Sequence, residues 1–157
     1  MSDTWTETAR DIHEICQLKY RYLRTLDTKE WEEFEACFVP EATGDYNGLV
    51  FEDRAALVGY MRENLGDGLL TLHQAHHPEI EVDVDTATGT WYLQDKVIVE
   101  AFKFMLEGGA IYRDRYVRTP DGWRVAHTGY RRTFEATYDL DDLPGFKVSG
   151  PGVHTHT

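Results

Sequence analysis

The sequence predicts an α+β fold in which three N-terminal helices pack against a curved antiparallel sheet. Three observations carry this. Apolar residues recur at helical spacing in the first part of the chain, they alternate with period two after Gly68, and the switch happens once. The 157 residues fit a single domain, 1–157, with no internal repeat or low-complexity tract.

Residues 6–27 place Ile12, Ile15, Tyr22, Leu23 and Leu26 at i, i+3, i+4 intervals, and residues 6–14 carry acids and no breaker. Residues 31–38 make a short second helix with Trp31, Phe34 and Phe38 on one face, ended by Pro40. Residues 54–64 form a third, carrying Leu57, Val58 and Met61 and stopped by Gly66 and Gly68. Strands follow at 70–76 and 79–84, and residues 86–100 are rich in β-branched and aromatic side chains. The turn chemistry between them lies at 85–89. A further strand spans 109–118, and Pro120-Asp-Gly122 turns the chain into 123–134. The Pro- and Gly-rich tail, 143–157, is expected to be loosely ordered, with His154 and His156 part of an unstructured end. A sheet wrapped against a long helix can enclose a pocket for a small, largely apolar ligand.

Charge narrows the partners. Sixteen Lys and Arg against 28 Asp and Glu leave a net −12, which argues against nucleic acid and anionic membrane surfaces. The 41% hydrophobic content is too high for a disordered acidic chain, yet no run approaches a membrane span. The opening residues have neither a basic nor an apolar leader region, which predicts a cytoplasmic protein. Cys16 and Cys37 have no metal or redox spacing and read as small buried thiols.

Four places hold unusual residue types. At the end of the first helix, Lys19 and Tyr22 lie on or beside the apolar stripe, and Tyr22 and Asp27 are roughly 7.5 Å apart along the axis at 1.5 Å per residue. Asp27 also fits a capping box with Glu30 before the second helix, and Tyr22 fits a core tyrosine. Next, His73, His76 and His77 cluster on a strand, with alternation placing His73 and His77 on one face. Their spacing lacks the helical geometry of a zinc site, so proton transfer is the better role for one of them, and no metal or cofactor is expected. Asp95 interrupts an apolar strand and needs a partner if buried, for which His73 is available. Finally, at most one of Arg131 and Arg132 faces the pocket, where a guanidinium would bind developing oxygen charge. No nucleophile elbow, phosphate loop, dinucleotide fingerprint or Cys-x-x-Cys pair is present.

With these residues in hand, the chain resembles the SnoaL-like group of the nuclear transport factor 2-like superfamily. The branch is that of scytalone dehydratase, bile acid 7α-dehydratase and the dehydrochlorinase LinA. The carriers are Tyr22 to Asp27, Trp31-Glu-Glu-Phe34 with Phe38, Leu72-His73-Gln-Ala-His76-His77-Pro-Glu-Ile80, Ala87 through Asp95, and Asp121-Gly-Trp-Arg-Val125 leading to Arg131-Arg132. The resemblance spans about 8–136 and implies a cone-shaped domain that forms homodimers or homotrimers. It implies a general base at His73, oriented by Asp27 and assisted by Tyr22, with Asp95 and one of Arg131 and Arg132 completing the site.

The expected function is a cofactor-independent, dehydratase-type lyase. Its His–Asp dyad would take a proton from a small cyclic or aromatic hydroxylated substrate. Isomerisation, cyclisation or retro-aldol cleavage would use the same dyad. Superfamily members that are non-catalytic, such as ligand-binding proteins or dioxygenase small subunits, set the competing expectation.

Overall fold

The computed structural model describes residues 4–150. Helix α1 (Thr4–Thr28) runs slightly past the expected bounds at both ends and buries Ile15, Leu18, Lys19, Tyr22, Leu23 and Leu26. It stops where Lys29 takes a left-handed φ of 60° and the Glu30 N–H turns back onto the Thr25 carbonyl. Helix α2 (Trp31–Glu35) is shorter than expected, because Phe38 and Pro40 already belong to a strand. Proline biases its predecessor toward extended backbone, so the helix ends upstream of it.

Two strands were not anticipated: β1 (Phe38–Tyr46) and β2 (Leu49–Phe51). Asn47 and Gly48 join them with φ of 53° and 100°, the two positive-φ positions of a tight hairpin. The Asn-Gly pair was the local signal for this hairpin. Helix α3 (Arg54–Asn64) has the expected bounds and is capped by Asp53, which accepts from the Ala56 N–H at 2.7 Å.

Four long strands follow: β3 (Leu69–Asp83), β4 (Thr86–Val99), β5 (Phe104–Thr119) and β6 (Gly122–Asp139). The sheet order is β2-β1-β6-β5-β4-β3. Neighbours are antiparallel except β1 and β6, which pair in parallel, so the sheet is mixed and open at both edges. The segments expected as separate strands at 70–76 and 79–84 are one strand carrying a bulge between His76 and Glu79. Pro78 is tolerated there because β3 is an edge strand. The β3–β4 turn is Val84-Asp85, ahead of the expected 85–89, with Val84 at φ 54° and Thr86 already paired to Asp83.

Beyond β6, residues 143–150 form neither helix nor strand, although Leu143, Phe146 and Val148 are half-buried. His154 and His156 lie outside the described residues. The core fills the space between the helices and the inner sheet face, where Trp91, Leu93, Tyr112, Tyr116 and Val125 meet Ile15, Leu18, Tyr22 and Phe34. The opposite face exposes Leu72, Tyr92 and Phe134.

Candidate active site

The site forms where the C-terminal end of α1 meets β3. An edge strand presents unpaired backbone groups, and α1 supplies partners for them. The Lys29 ammonium donates to the Leu69 carbonyl at 2.9 Å. Asp27 Oδ2 accepts the His73 backbone N–H at 2.8 Å, while its Oδ1 accepts from the Thr71 hydroxyl at 2.8 Å. The same Oδ1 lies 2.6 Å from His73 Nδ1. Asp27 is therefore committed to β3 rather than to a capping box: the N-cap of α2 is Glu30, without a side-chain cap bond.

Alternation on β3 points Thr71, His73 and Ala75 inward and leaves Leu72 and Gln74 exposed. The bulge then resets the pattern. His77 turns out to solvent with φ 27°, so the expectation that it shares a face with His73 fails. One extra residue between His76 and Glu79 is enough to invert the register of side chains.

Asp95 on β4 lies directly opposite His73 in the antiparallel ladder, so both side chains occupy the inner face. Its partner is not His73 but Arg132. Nη1 and Nη2 of Arg132 reach the two Asp95 oxygens at 2.5 and 2.7 Å, a fork-to-fork pair. Asp95 raises the affinity of Arg132 for its proton further. The pair is nearly closed to solvent, with side chains 13% and 4% exposed. Gly108 makes the contact possible. It faces Asp95 in register, and a Cβ there would stand 3.0 Å from Arg132 Nη1. Arg131 faces outward, 62% exposed and paired with Asp45 at 2.6 Å. Arg132 is thus the arginine of the inner face.

Tyr22 sits deeper. It is fully buried, its hydroxyl meets that of Tyr46, and its ring contacts Phe34, Phe38 and Tyr112. Burial pushes its hydroxyl well above the ordinary tyrosine range, so Tyr22 acts as a hydrogen-bond donor more readily than as a source of a free proton.

A second buried polar cluster joins α1 to β5 and β6. Lys19 Nζ contacts Asp114 Oδ2 at 2.7 Å, with both side chains sealed from solvent. Asp114 also accepts from Tyr116 and Thr128, each at 2.8 Å, and Tyr116 accepts from Trp91 Nε1 at 3.0 Å. The ammonium lies 3.4 Å from the Tyr112 ring centre. Burial drives the Lys19 pKa down while Asp114 works against that shift. Asp114 was not singled out in the sequence, although the alternation Ala110, Tyr112, Asp114, Tyr116 on β5 places it inward.

Comparison with known proteins gives the same fold. An uncharacterized protein of Mycobacterium tuberculosis is 27% identical over 128 residues, covering 80% of this chain and 87% of the relative. A solved structure of a second M. tuberculosis protein, of unknown function, has a TM-score of 0.73 at 25% identity, covering 83% of this chain and 76% of the other. A scytalone dehydratase-like protein of Novosphingobium aromaticivorans superposes with TM-score 0.76 at 20% identity, covering 88% and 92%. The hexachlorocyclohexane dehydrochlorinase LinA type 2 gives 0.75 at 14% identity, covering 94% and 97%. The SnoaL-like domain model matches residues 7–129, and the chain belongs to the SnoaL-like family.

Proposed function

We propose that the protein is a cofactor-independent lyase of dehydratase type acting on a small cyclic or aromatic hydroxylated compound. The observation that carries this is the grip of Asp27 on His73. One carboxylate holds both the backbone N–H and ring Nδ1 of the same histidine. A carboxylate on Nδ1 fixes the tautomer and leaves Nε2 as the base. Among the described residues nothing hydrogen-bonds that nitrogen. The side chains are 10% and 18% exposed, so the dyad is sheltered but not sealed.

In this mechanism His73 Nε2 takes a proton from a carbon next to an activating carbonyl or ring. The electron pair left on carbon forms the new double bond as the hydroxyl departs. The imidazolium returns the proton to the departing oxygen, which leaves as water. Arg132 uses both Nη atoms on Asp95 but keeps their outer hydrogens, which stabilise developing oxygen charge. Asp95, whose two oxygens both accept from Arg132, holds the guanidinium rather than donating a proton. Tyr22, sealed from solvent and hydrogen-bonded to Tyr46, serves as a positioning residue at the end of α1 and does not itself meet substrate. The SnoaL-like family and structural relatives named for dehydratase and dehydrochlorinase chemistry favour this reaction class.

The test is carbon–hydrogen exchange in deuterium oxide, followed by NMR over a panel of cyclic β-hydroxy ketones. The wild type should exchange or eliminate at least one panel member, and His73→Ala should do neither. Unchanged exchange in His73→Ala would overturn the assignment. Tight binding with no exchange would favour a ligand-binding protein.

A further inference from the structure

Tyr22 is sealed from substrate, which leaves Arg132 alone to hold a substrate oxygen. The residue two positions before it on β6, Tyr130, is unused by the chemistry above. Tyr130 pairs in register with Tyr46 on β1 and Tyr112 on β5, both buried on the inner face, so its ring lies on that face too. Asn47 in the β1–β2 turn pins this stretch of β6. Its backbone N–H donates to the Tyr130 carbonyl at 2.9 Å, and its Oδ1 accepts the Arg132 N–H at 3.2 Å. Tyr130 and Arg132 then share the inner face, with Arg131 turned out between them.

The core opens in this direction. On the inner side of β6, Val125 and Thr128 are fully buried, whereas Tyr130 and Arg132 keep partial exposure, as His73 does across the sheet. The Tyr130 ring is held firmly. It stacks on Tyr46 at 5.3 Å, meets Tyr112 edge-on at 5.5 Å, and the Arg132 guanidinium carbon stands 5.3 Å from its centre. Its hydroxyl, unlike those of Tyr22, Tyr46 and Tyr116, has no hydrogen-bond partner among the described residues. Burial holds that hydroxyl above the ordinary tyrosine range against the pull of Arg132, so it stays a donor at neutral pH.

We propose that Tyr130 is a further catalytic residue, whose hydroxyl donates to the same substrate oxygen as Arg132. The two form a two-donor oxygen site on the inner face. The inference rests on the proton-abstraction reading above and supplies its second donor. Arg132 already answers two carboxylates, Asp95 and, from Nε at 3.4 Å, Glu135. The pair therefore suits a neutral carbonyl, whose oxygen gains charge only as His73 removes the proton. Both donors hold that oxygen, and neither gives up its own proton.

The experiment labels the full chain with ¹³Cζ-tyrosine and titrates it with 1-tetralone, a cyclic aryl ketone, and separately with tetralin, which lacks the oxygen. The Tyr130 signal is assigned with Tyr130→Phe and independently with Tyr130→Leu. It should move saturably with 1-tetralone. Tyr130→Phe should weaken 1-tetralone binding about 5- to 10-fold and change tetralin binding less than about twofold. In the deuterium exchange assay the same variant should lower the rate about 10²-fold, the scale of one lost oxyanion donor, with KM changed far less. A Tyr130 signal unmoved up to the solubility limit of 1-tetralone would overturn the proposal, and this titration requires no catalysis. So would exchange at the wild-type rate in Tyr130→Phe. An equal loss of affinity for both ligands would also overturn it, by leaving the ring rather than the hydroxyl as the contact. Exchange lost in Tyr130→Phe but intact in His73→Ala would keep the oxygen site and reject the dyad.

Discussion

Two acid–base pairs of this protein sit on the same inner sheet face and differ in what surrounds them. Lys19–Asp114 is sealed, and three further groups complete its hydrogen bonding or cover its charge. Asp27–His73 is tied down on one side only, at the junction of a helix end and an edge strand, and both side chains keep some exposure. Burial separates their uses. A sealed pair cannot exchange a proton with a substrate, whereas a held imidazole with one unclaimed nitrogen can. Under the proposed function, the first pair is expected to serve stability and the second chemistry.

The largest expected effect tests the sealed pair. Lys19→Met leaves a buried carboxylate without its cation and should lower unfolding free energy by about 3–5 kcal/mol in urea titrations. Adding Asp114→Leu should recover much of that loss, since replacing both partners removes the stranded charge. A loss below about 1 kcal/mol in the single variant would break the contrast.

The converse holds for the open pair. His73→Ala should reduce turnover by about 10²–10⁴-fold, the usual worth of a general base, while moving stability by only about 1 kcal/mol. Arg132→Lys keeps the charge but loses the fork to Asp95. It should cost about 1–3 kcal/mol in thermal melts and lower turnover without abolishing carbon–hydrogen exchange.

The smallest effect is a pH slope. His127 on β6 is half-buried with Nδ1 2.7 Å from the Thr43 hydroxyl, and burial, reinforced by Arg115, holds its pKa below the ordinary 6.5. Below that value the unfolded chain binds a proton that the native state resists. Stability therefore falls as pH drops from 6.5 toward the lowered pKa of His127. His127→Asn should flatten this part of the profile. An unchanged slope would assign it elsewhere.

How much of this was legible differs from residue to residue. The α3 bounds and the antiparallel β3–β6 stretch follow from local period, whereas period left open which face of β3 turns inward, and the choice of His73 came from the family resemblance. Asp27 was visible as an unusual acid at a helix end, yet its neighbours favoured a cap, and only the family resemblance pointed to His73 as its partner. The β1–β2 hairpin was marked by Asn47-Gly48 but hidden by Pro40, which suggests an end to structure rather than a strand beginning. His77 was misplaced because a bulge leaves no unambiguous trace in composition, although Pro78 beside it was a hint.

The sequence by itself determined the periods and the breakers, because these depend on neighbours within a few positions. Tertiary structure alone decided the partners. Lys19 meets a carboxylate 95 positions away, Asp27 a histidine 46 away, and Asp95 an arginine 37 away. Such pairings rest on strand register and on the room that Gly108 leaves, and no local rule carries either. Asp27 and Asp95 needed the folded sheet to show that one holds an imidazole and the other a guanidinium.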